Sequence, residues 1–336
     1  MGYSKCLIIA EAGVNHNGKL DLALKLCDAA KEAGADVVKF QTWQTEKLLT
    51  RSVKQAEYQV SNTGMMESQF DMLKRLELSQ DDFREIKKHC DSIGITFAST
   101  ADEPDSFDFL VDLGIPFVKI GSGEICNTPY LRYMGSKNLP VILSTGMSTL
   151  DEVRESVETL KQGGARDITL LHCTTNYPCP LEEVNLKAME TLREEFNLPV
   201  GYSDHTKGIE AAVSAVAMGA KVIEKHFTLD CSMEGPDHIA STEPDEFKKL
   251  VDSVRKVESI LGTGVKVPTE SEKAIKGVVT KRIVACRDIG TGEQFSLSNV
   301  CVKRSDAGLL ARSWDSLIGK KASRRYAEDE GIEEEL

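Results

Sequence analysis

The 336-residue chain lacks any apolar run near the roughly 20 residues that a membrane-spanning helix needs, so a membrane protein is not expected. It lacks a CxxC pair among its nine cysteines, which sets aside the common redox and zinc-ribbon spacings and points to a reduced, cytoplasmic setting. Positive charge is short as well. The 41 Lys and Arg face 53 Asp and Glu, a net −12, whereas a nucleic-acid binder normally carries a basic footprint. The opening MGYSKCLIIAEAG runs straight into an apolar strand, so no secretory leader is expected. Cys6 and Leu7 stand where a myristoylation signal needs Ser or Thr. A dinucleotide-binding GxGxxG fingerprint is missing too. Any anionic ligand must therefore be held by a local basic pocket working against the global field.

What is present is an alternation of short β-branched runs with amphipathic helical stretches. Strands are expected at Leu7–Ala10, Asp36–Phe40, Ile95–Ala98, Pro116–Ile120, Val141–Leu143, Ile168–Leu171, Val200–Tyr202 and Val222–Lys225. The helices between them carry caps: Ser79 with Asp82, Ser148 with Asp151, and Thr242 with Asp245. Eight strand–helix units ending near Gly262 have the length of a TIM (β/α)8 barrel. A doubly wound open sheet is the structural alternative. Residues 263–281 have no strand pattern and read as a linker, and residues 282–336 as a small β-rich module with a solvated acidic end. The stretch from Thr42 to Met66 is long for a barrel loop, and a loop that long is more often functional than disordered.

A TIM barrel carries its active site at the carboxyl ends of its strands. Polar groups follow all eight: Glu11, Asn15 and His16; Lys39 and Gln41; Ser99 and Thr100; Lys119, Ser122 and Glu124; Ser144 and Thr145; His172, Cys173 and Tyr177; Ser203, Asp204 and His205; and His226, Asp237 and His238. His205 and His226 fall at equivalent depths on neighbouring strands, which lie about 4.8 Å apart. Two imidazoles so placed either share a divalent metal or are buried and bonded to backbone, and the flanking Asp204 and Glu224 favour the metal. Lys39 and Lys119, with Ser122, Ser144 and Ser203, make a cationic, hydroxyl-rich lining suited to a phosphate or carboxylate. A lysine there also fits a structural counter-ion or a Schiff-base nucleophile. Cys173 and His172 point to opposite faces of their strand, so the thiol is expected to be buried packing.

In order, IIAEAGVNHNG, VVKFQT, KIGSGE, LSTGMST, LLHCTTNYP, GYSDHT, EKHFTLD and GPDH resemble the strand-end motifs of the sialic acid synthase family, the phosphoenolpyruvate-dependent nonulosonate synthases. The C-terminal module resembles that family's antifreeze-like (SAF) domain. The resemblance implies a carbon–carbon condensation of phosphoenolpyruvate with an open-chain N-acetylated mannose-type sugar. Its product would be a nine-carbon 2-keto acid of the N-acetylneuraminate or legionaminate type, with phosphate released. It implies that His205 and His226 hold manganese or magnesium and that Glu11 is the carboxylate near the reacting carbons. Lys39, Lys119, Ser122, Ser144 and Ser203 match the phosphoenolpyruvate-binding set, and Gln41, Thr100, Glu124, Tyr177 and Asp237 match positions facing the sugar. Arg304 matches an arginine that reaches into the neighbouring subunit's site in a domain-swapped homodimer. The family commonly follows that arginine with Pro-Gly-x-Gly, whereas here Ser305, Asp306, Ala307 and Gly308 follow. The competing enzyme class is a Schiff-base sugar-acid lyase acting through Lys119.

Overall fold

The computed structural model describes residues 2–53 and 68–335. The chain divides into two compact units, Met1–Gly262 and Thr263–Leu336. In the first, eight parallel strands close into a barrel in sequence order, β8 pairing back onto β1. They are β1 Leu7–Gly13, β2 Val37–Thr42, β3 Thr96–Ala101, β4 Val118–Ile120, β5 Val141–Ser144, β6 Ile168–His172, β7 Val200–Asp204 and β8 Val222–His226. Several run further than their apolar stretch because the polar residues at their ends continue the ladder. Of the long segment after β2, residues 54–66 lie outside the described residues, and its start holds a short helix, Thr45–Leu48.

Period-two alternation sorts the strands into two faces. Ile8, Val38, Phe97, Leu143, Leu170 and Ile223 face outward beneath the helices in the main core. Ile9, Val37, Ala98, Phe117, Ile142, Leu171 and Val222 face inward and form a separate apolar layer inside the barrel. Gly201 completes that layer by leaving room: a Cβ there would collide with the Val222 carbonyl and sit 2.7 Å from Leu171 Cδ2.

The Ser79–Asp82 capping box opens the helix Gln80–Ile93 as expected, with Phe83, Ile86 and Cys90 buried. Two other caps differ by one residue. Thr149 and Glu152, not Ser148 and Asp151, form the box of the helix Leu150–Gly163. Glu243 is the N-cap of Pro244–Leu261, because Pro244 fixes the first helical position and makes the preceding residue extended. Among the described residues no helix is long and apolar enough to cross a membrane.

In the second unit, the stretch read as a linker contains a helix, Glu270–Val279, capped by Thr269 and Glu272 and burying none of its residues. The β-rich part pairs β9 Lys281–Ala285 with β10 Val300–Arg304, antiparallel, around Ile283, Ile289, Phe295, Val300, Leu317 and Tyr326. The acidic end is not simply solvated. Ile332 is fully buried and exchanges backbone hydrogen bonds with Ile283 and Leu309, while Glu334 accepts from the Ser323 N–H and the Tyr326 hydroxyl. One apolar residue in an acidic run is enough to tie it down.

Candidate active site

The apolar layer is the floor of a polar one. Two residues further along each strand, on the same inward face, Ile9 gives way to Glu11, Val37 to Lys39, Ala98 to Thr100, Phe117 to Lys119 and Ile142 to Ser144. Around the rest of the barrel Leu171 gives way to Cys173, Gly201 to Ser203 and Val222 to Glu224. All eight polar side chains are buried. Buried charge demands partners. Lys39 pairs with Glu11, donates to Thr100 Oγ1 at 3.1 Å and lies 3.8 Å from Glu224 Oε2. Lys119 donates to Ser144 Oγ at 2.9 Å and lies 3.3 Å from Glu224 Oε1. Gln41 Nε2 donates to Glu11 Oε1 at 3.0 Å, and Ser203 Oγ to Glu224 Oε1 at 2.9 Å.

The two carboxyls respond differently. Burial pushes Glu11 up, the Lys39 ammonium opposes it, and Glu224 adds to the rise, leaving Glu11 at about 7. Burial also works to raise Glu224, but Lys119 and Lys39 outweigh it and hold that carboxylate down at about 2. Burial works to lower Lys39, and Glu11 and Glu224 more than offset it.

Above this layer, the β7–β8 register pairs Asp204 with Lys225 and so brings His205 and His226 level at the rim. Their ring centroids are 5.4 Å apart. The His205 Nδ1–H donates to the Thr174 carbonyl at 2.6 Å, which leaves Nε2 as the acceptor nitrogen, 3.4 Å from Ser203 Oγ. An imidazole that ligates a metal commonly donates its other ring N–H to a backbone carbonyl in this way. Burial lowers both histidines, helped for His226 by the neighbouring His205, so both are held neutral. Asp237 Oδ2 is 3.8 Å from His226 Nδ1, and burial raises its carboxyl to about 6. The Tyr177 ring packs 4.2 Å from His205 and 5.3 Å from His226, centroid to centroid. Among the described residues no group of three or more His, Cys, Asp or Glu side chains is placed so that it could hold a metal ion. The two neutral imidazoles alone have donor chemistry that suits a divalent ion, and the rest of its shell would have to come from water or substrate.

The remaining expected residues fall around this core. Ser122 Oγ accepts from the Gly146 N–H at 3.0 Å, and Glu124 accepts from Asn127 Nδ2 at 2.6 Å while burial raises its carboxyl. Asp204 is a correction. It faces outward, with its carboxylate 2.7 Å from Lys225 Nζ and also bonded to Thr206, so it does not support the histidines. Strand parity requires this, since Ser203 faces in. Cys173 is a second refinement: its buried thiol is inside the barrel, 3.3 Å from Ser122 Oγ. Arg304 belongs to the second unit, where it is exposed at the end of β10 and forms no ion pair among the described residues. The loop after it lacks proline but is held by Ser305 Oγ bonded to Ala307 and by the Arg282 guanidinium donating to the Gly308 carbonyl at 2.7 Å.

Two polar positions were not singled out from sequence. Asp102, just past β3, has its carboxyl pushed up to about 7 by burial and by Glu124. Asn15 was noted only as a polar strand-end residue. Its Nδ2 donates to the Phe227 carbonyl at 2.9 Å and to Ser241 Oγ at 2.8 Å, and Ser241 Oγ in turn donates to the Asp237 carbonyl. It ties the first loop to the loop carrying Asp237, a contact across 226 residues of sequence that local spacing does not reveal.

A closed barrel with paired lysines and carboxylates beneath two neutral histidines places this chain among enzymes of the (β/α)8 class. The chain belongs to the NeuB family, which matches residues 26–266, and residues 280–335 match the SAF domain. It is 48% identical over 322 residues to the N,N'-diacetyllegionaminic acid synthase of Legionella pneumophila, covering 95% of this chain and 90% of the relative. The N-acetylneuraminate-9-phosphate synthase of Homo sapiens is 36% identical, over 100% of this chain and 93% of its own. Among solved structures, the N-acetylneuraminic acid (sialic acid) synthetase of Leptospira borgpetersenii superposes with a TM-score of 0.74 at 35% identity, covering 82% of this chain and 91% of that one.

Proposed function

We propose that this chain condenses phosphoenolpyruvate with an open-chain 2-acetamido sugar of the mannose type, giving a nine-carbon 2-keto acid and inorganic phosphate. The observation that carries the reading is the buried layer of Lys39, Lys119, Ser144 and Ser203 in the mouth of a NeuB-family barrel. The relatives at 48% identity, both named N,N'-diacetyllegionaminic acid synthase, favour a sugar with two N-acetyl groups.

In this reading the lysines and serines hold the carboxylate and phosphate of the donor, so that its C3 faces the aldehyde. C3 attacks the aldehyde carbon, water adds at C2, and the C2–O bond then breaks to release phosphate. Glu11, whose raised carboxyl exchanges protons near neutrality, would take the proton of the water. His205 and His226 would hold the manganese or magnesium ion, whose chemistry is Lewis-acid polarisation of the aldehyde oxygen. Gln41, Thr100, Glu124, Tyr177 and Asp237 would orient the sugar. Arg304, exposed and free of an ion pair among the described residues, would serve the site of a second copy in a homodimer. The nine cysteines, all free thiols, support a reduced, cytoplasmic setting. A Schiff-base role for Lys119 is disfavoured because its ammonium is paired with Glu224.

Phosphate release from phosphoenolpyruvate, measured across a panel of sugars, tests the proposal. Release should depend on an added N-acetylated sugar and be fastest with a 2,4-diacetamido-6-deoxy hexose, ahead of N-acetylmannosamine. Pyruvate trapped on Lys119 by borohydride, with no phosphate release from any sugar, would sink it.

A further inference from the structure

The polar layer holds one charged group that the expected binding set does not use. Glu224 is 5% exposed on β8, and its carboxylate reaches both lysines, 3.3 Å from Lys119 Nζ and 3.8 Å from Lys39 Nζ. Its Oε2 is buried and makes no hydrogen bond within the described residues. The lysines come from β2 and β4, on either side of β3, and two bare ammoniums confined to one dry layer would repel each other. A carboxylate shared between them removes that repulsion and fixes where both stand. With Glu11, it also balances the layer at two cations against two carboxylates. An incoming anion must therefore share these ammoniums with Glu224, an odd arrangement if tight binding of the ground state were the only requirement.

We propose that Glu224 is a positioning residue, the resident counter-anion that holds Lys39 and Lys119 in place in the empty site and yields them to the substrate anion on binding. The inference rests on the reading that these lysines receive phosphoenolpyruvate. Ser203 links the same carboxylate to the histidine side, since its Oγ is 2.9 Å from Glu224 Oε1 and 3.4 Å from His205 Nε2.

Glu224→Gln keeps the size and the acceptor for Ser203 and removes the charge. Phosphoenolpyruvate and, in parallel, inorganic phosphate are titrated calorimetrically into the full chain with a chelator present. The variant should bind phosphoenolpyruvate at least tenfold tighter than wild type, because a unit negative charge has left the anion's immediate surroundings. Its kcat should fall at least tenfold while KM for phosphoenolpyruvate falls with it, a split that a merely destabilised barrel does not produce. Glu224→Asp, which restores the charge, should return the dissociation constant to within threefold of wild type. Unchanged or weaker binding by folded Glu224→Gln overturns the proposal. If Glu224→Gln does not fold, Glu224→Asp decides alone, and any value outside that threefold range overturns it. Wild-type protein that binds phosphate but not phosphoenolpyruvate refutes the donor assignment only, and the ratio of Glu224→Gln to wild type for phosphate then decides the role of Glu224. Binding of neither anion overturns both.

Discussion

Replacing Lys39 by methionine keeps the stem and deletes the ammonium from the centre of the polar layer. Glu11 is left with the single donor Gln41 Nε2 at 3.0 Å, and Glu224 Oε2 loses the cation 3.8 Å away. At an effective dielectric constant of about 20, a unit pair at 3.8 Å is worth about 4 kcal/mol before desolvation is counted. Removing one partner of a buried ion pair typically costs about 3–5 kcal/mol. We expect Lys39→Met to lose about 3 kcal/mol of stability at pH 8. The loss should shrink at pH 5, because Glu11 can take up a proton and cease to be an unpaired buried anion. The sign follows from the raised folded value of about 7. A carboxyl raised above its unfolded value favours the native state fully at low pH, below about 4.5, and that contribution is lost as pH rises through about 7. Without Lys39 the folded value rises further, so the loss extends to higher pH.

Urea unfolding at pH 5 and pH 8, followed by far-ultraviolet circular dichroism, measures this directly. The double variant Lys39→Met/Glu11→Gln should recover more than about 1 kcal/mol of the pH 8 loss, since no unpaired charge remains at Glu11. A Lys39→Met loss that is the same at both pH values, or smaller than about 0.5 kcal/mol at pH 8, would refute the reasoning.

Two other outcomes follow from the same geometry. Gly201→Ala places a methyl against the Val222 carbonyl and 2.7 Å from Leu171 Cδ2, so it should cost about 1–3 kcal/mol by overpacking the barrel floor, measured as a lower thermal midpoint. Unchanged stability would mean the floor is looser than described. His205→Ala removes one of the two imidazoles at the rim, and manganese affinity by calorimetry should fall at least tenfold while the circular dichroism spectrum is kept; undiminished affinity would remove His205 from the proposed ligands.

Much of the barrel was legible because one rule, period-two alternation, acts over its whole length. The same parity that puts Ile9 in the floor puts Glu11 in the polar layer, and short apolar runs with polar ends make that visible in sequence. Parity also fixes Asp204 outward and Cys173 inward. Reading Asp204 as a partner of the histidines weighed proximity in sequence above the face of the strand. The caps slipped because Ser148 and Thr149 each have an acidic residue three positions on, and Asp151 and Glu152 compete on nearly equal terms. Asn15 was unreadable as a clamp for a different reason, since its partners Phe227 and Ser241 come near it only when β8 closes on β1. The helix Glu270–Val279 escaped because its apolar stripe, Ile275, Val278 and Val279, is confined to its last turns and left exposed.

The acidic sum of the chain looked like an argument against an anionic ligand, and the interior explains why it is not one. The local field in the mouth is set by four buried charges, Lys39, Lys119, Glu11 and Glu224, rather than by the −12 of the whole sequence. Exposed charges are screened over about 8 Å at physiological ionic strength, whereas buried ones are screened much less. The two carboxylates are not equivalent in this local balance. Glu224 is fixed as an anion by two lysines, while Glu11 sits near its own titration point at about 7. Of these four groups Glu11 is the one that can adjust its charge near neutrality, alongside Asp102 just past β3, which is also pushed up to about 7. Of the four buried charges Glu11 is therefore the one suited to move a proton, and Glu224 the one suited to hold the lysines still.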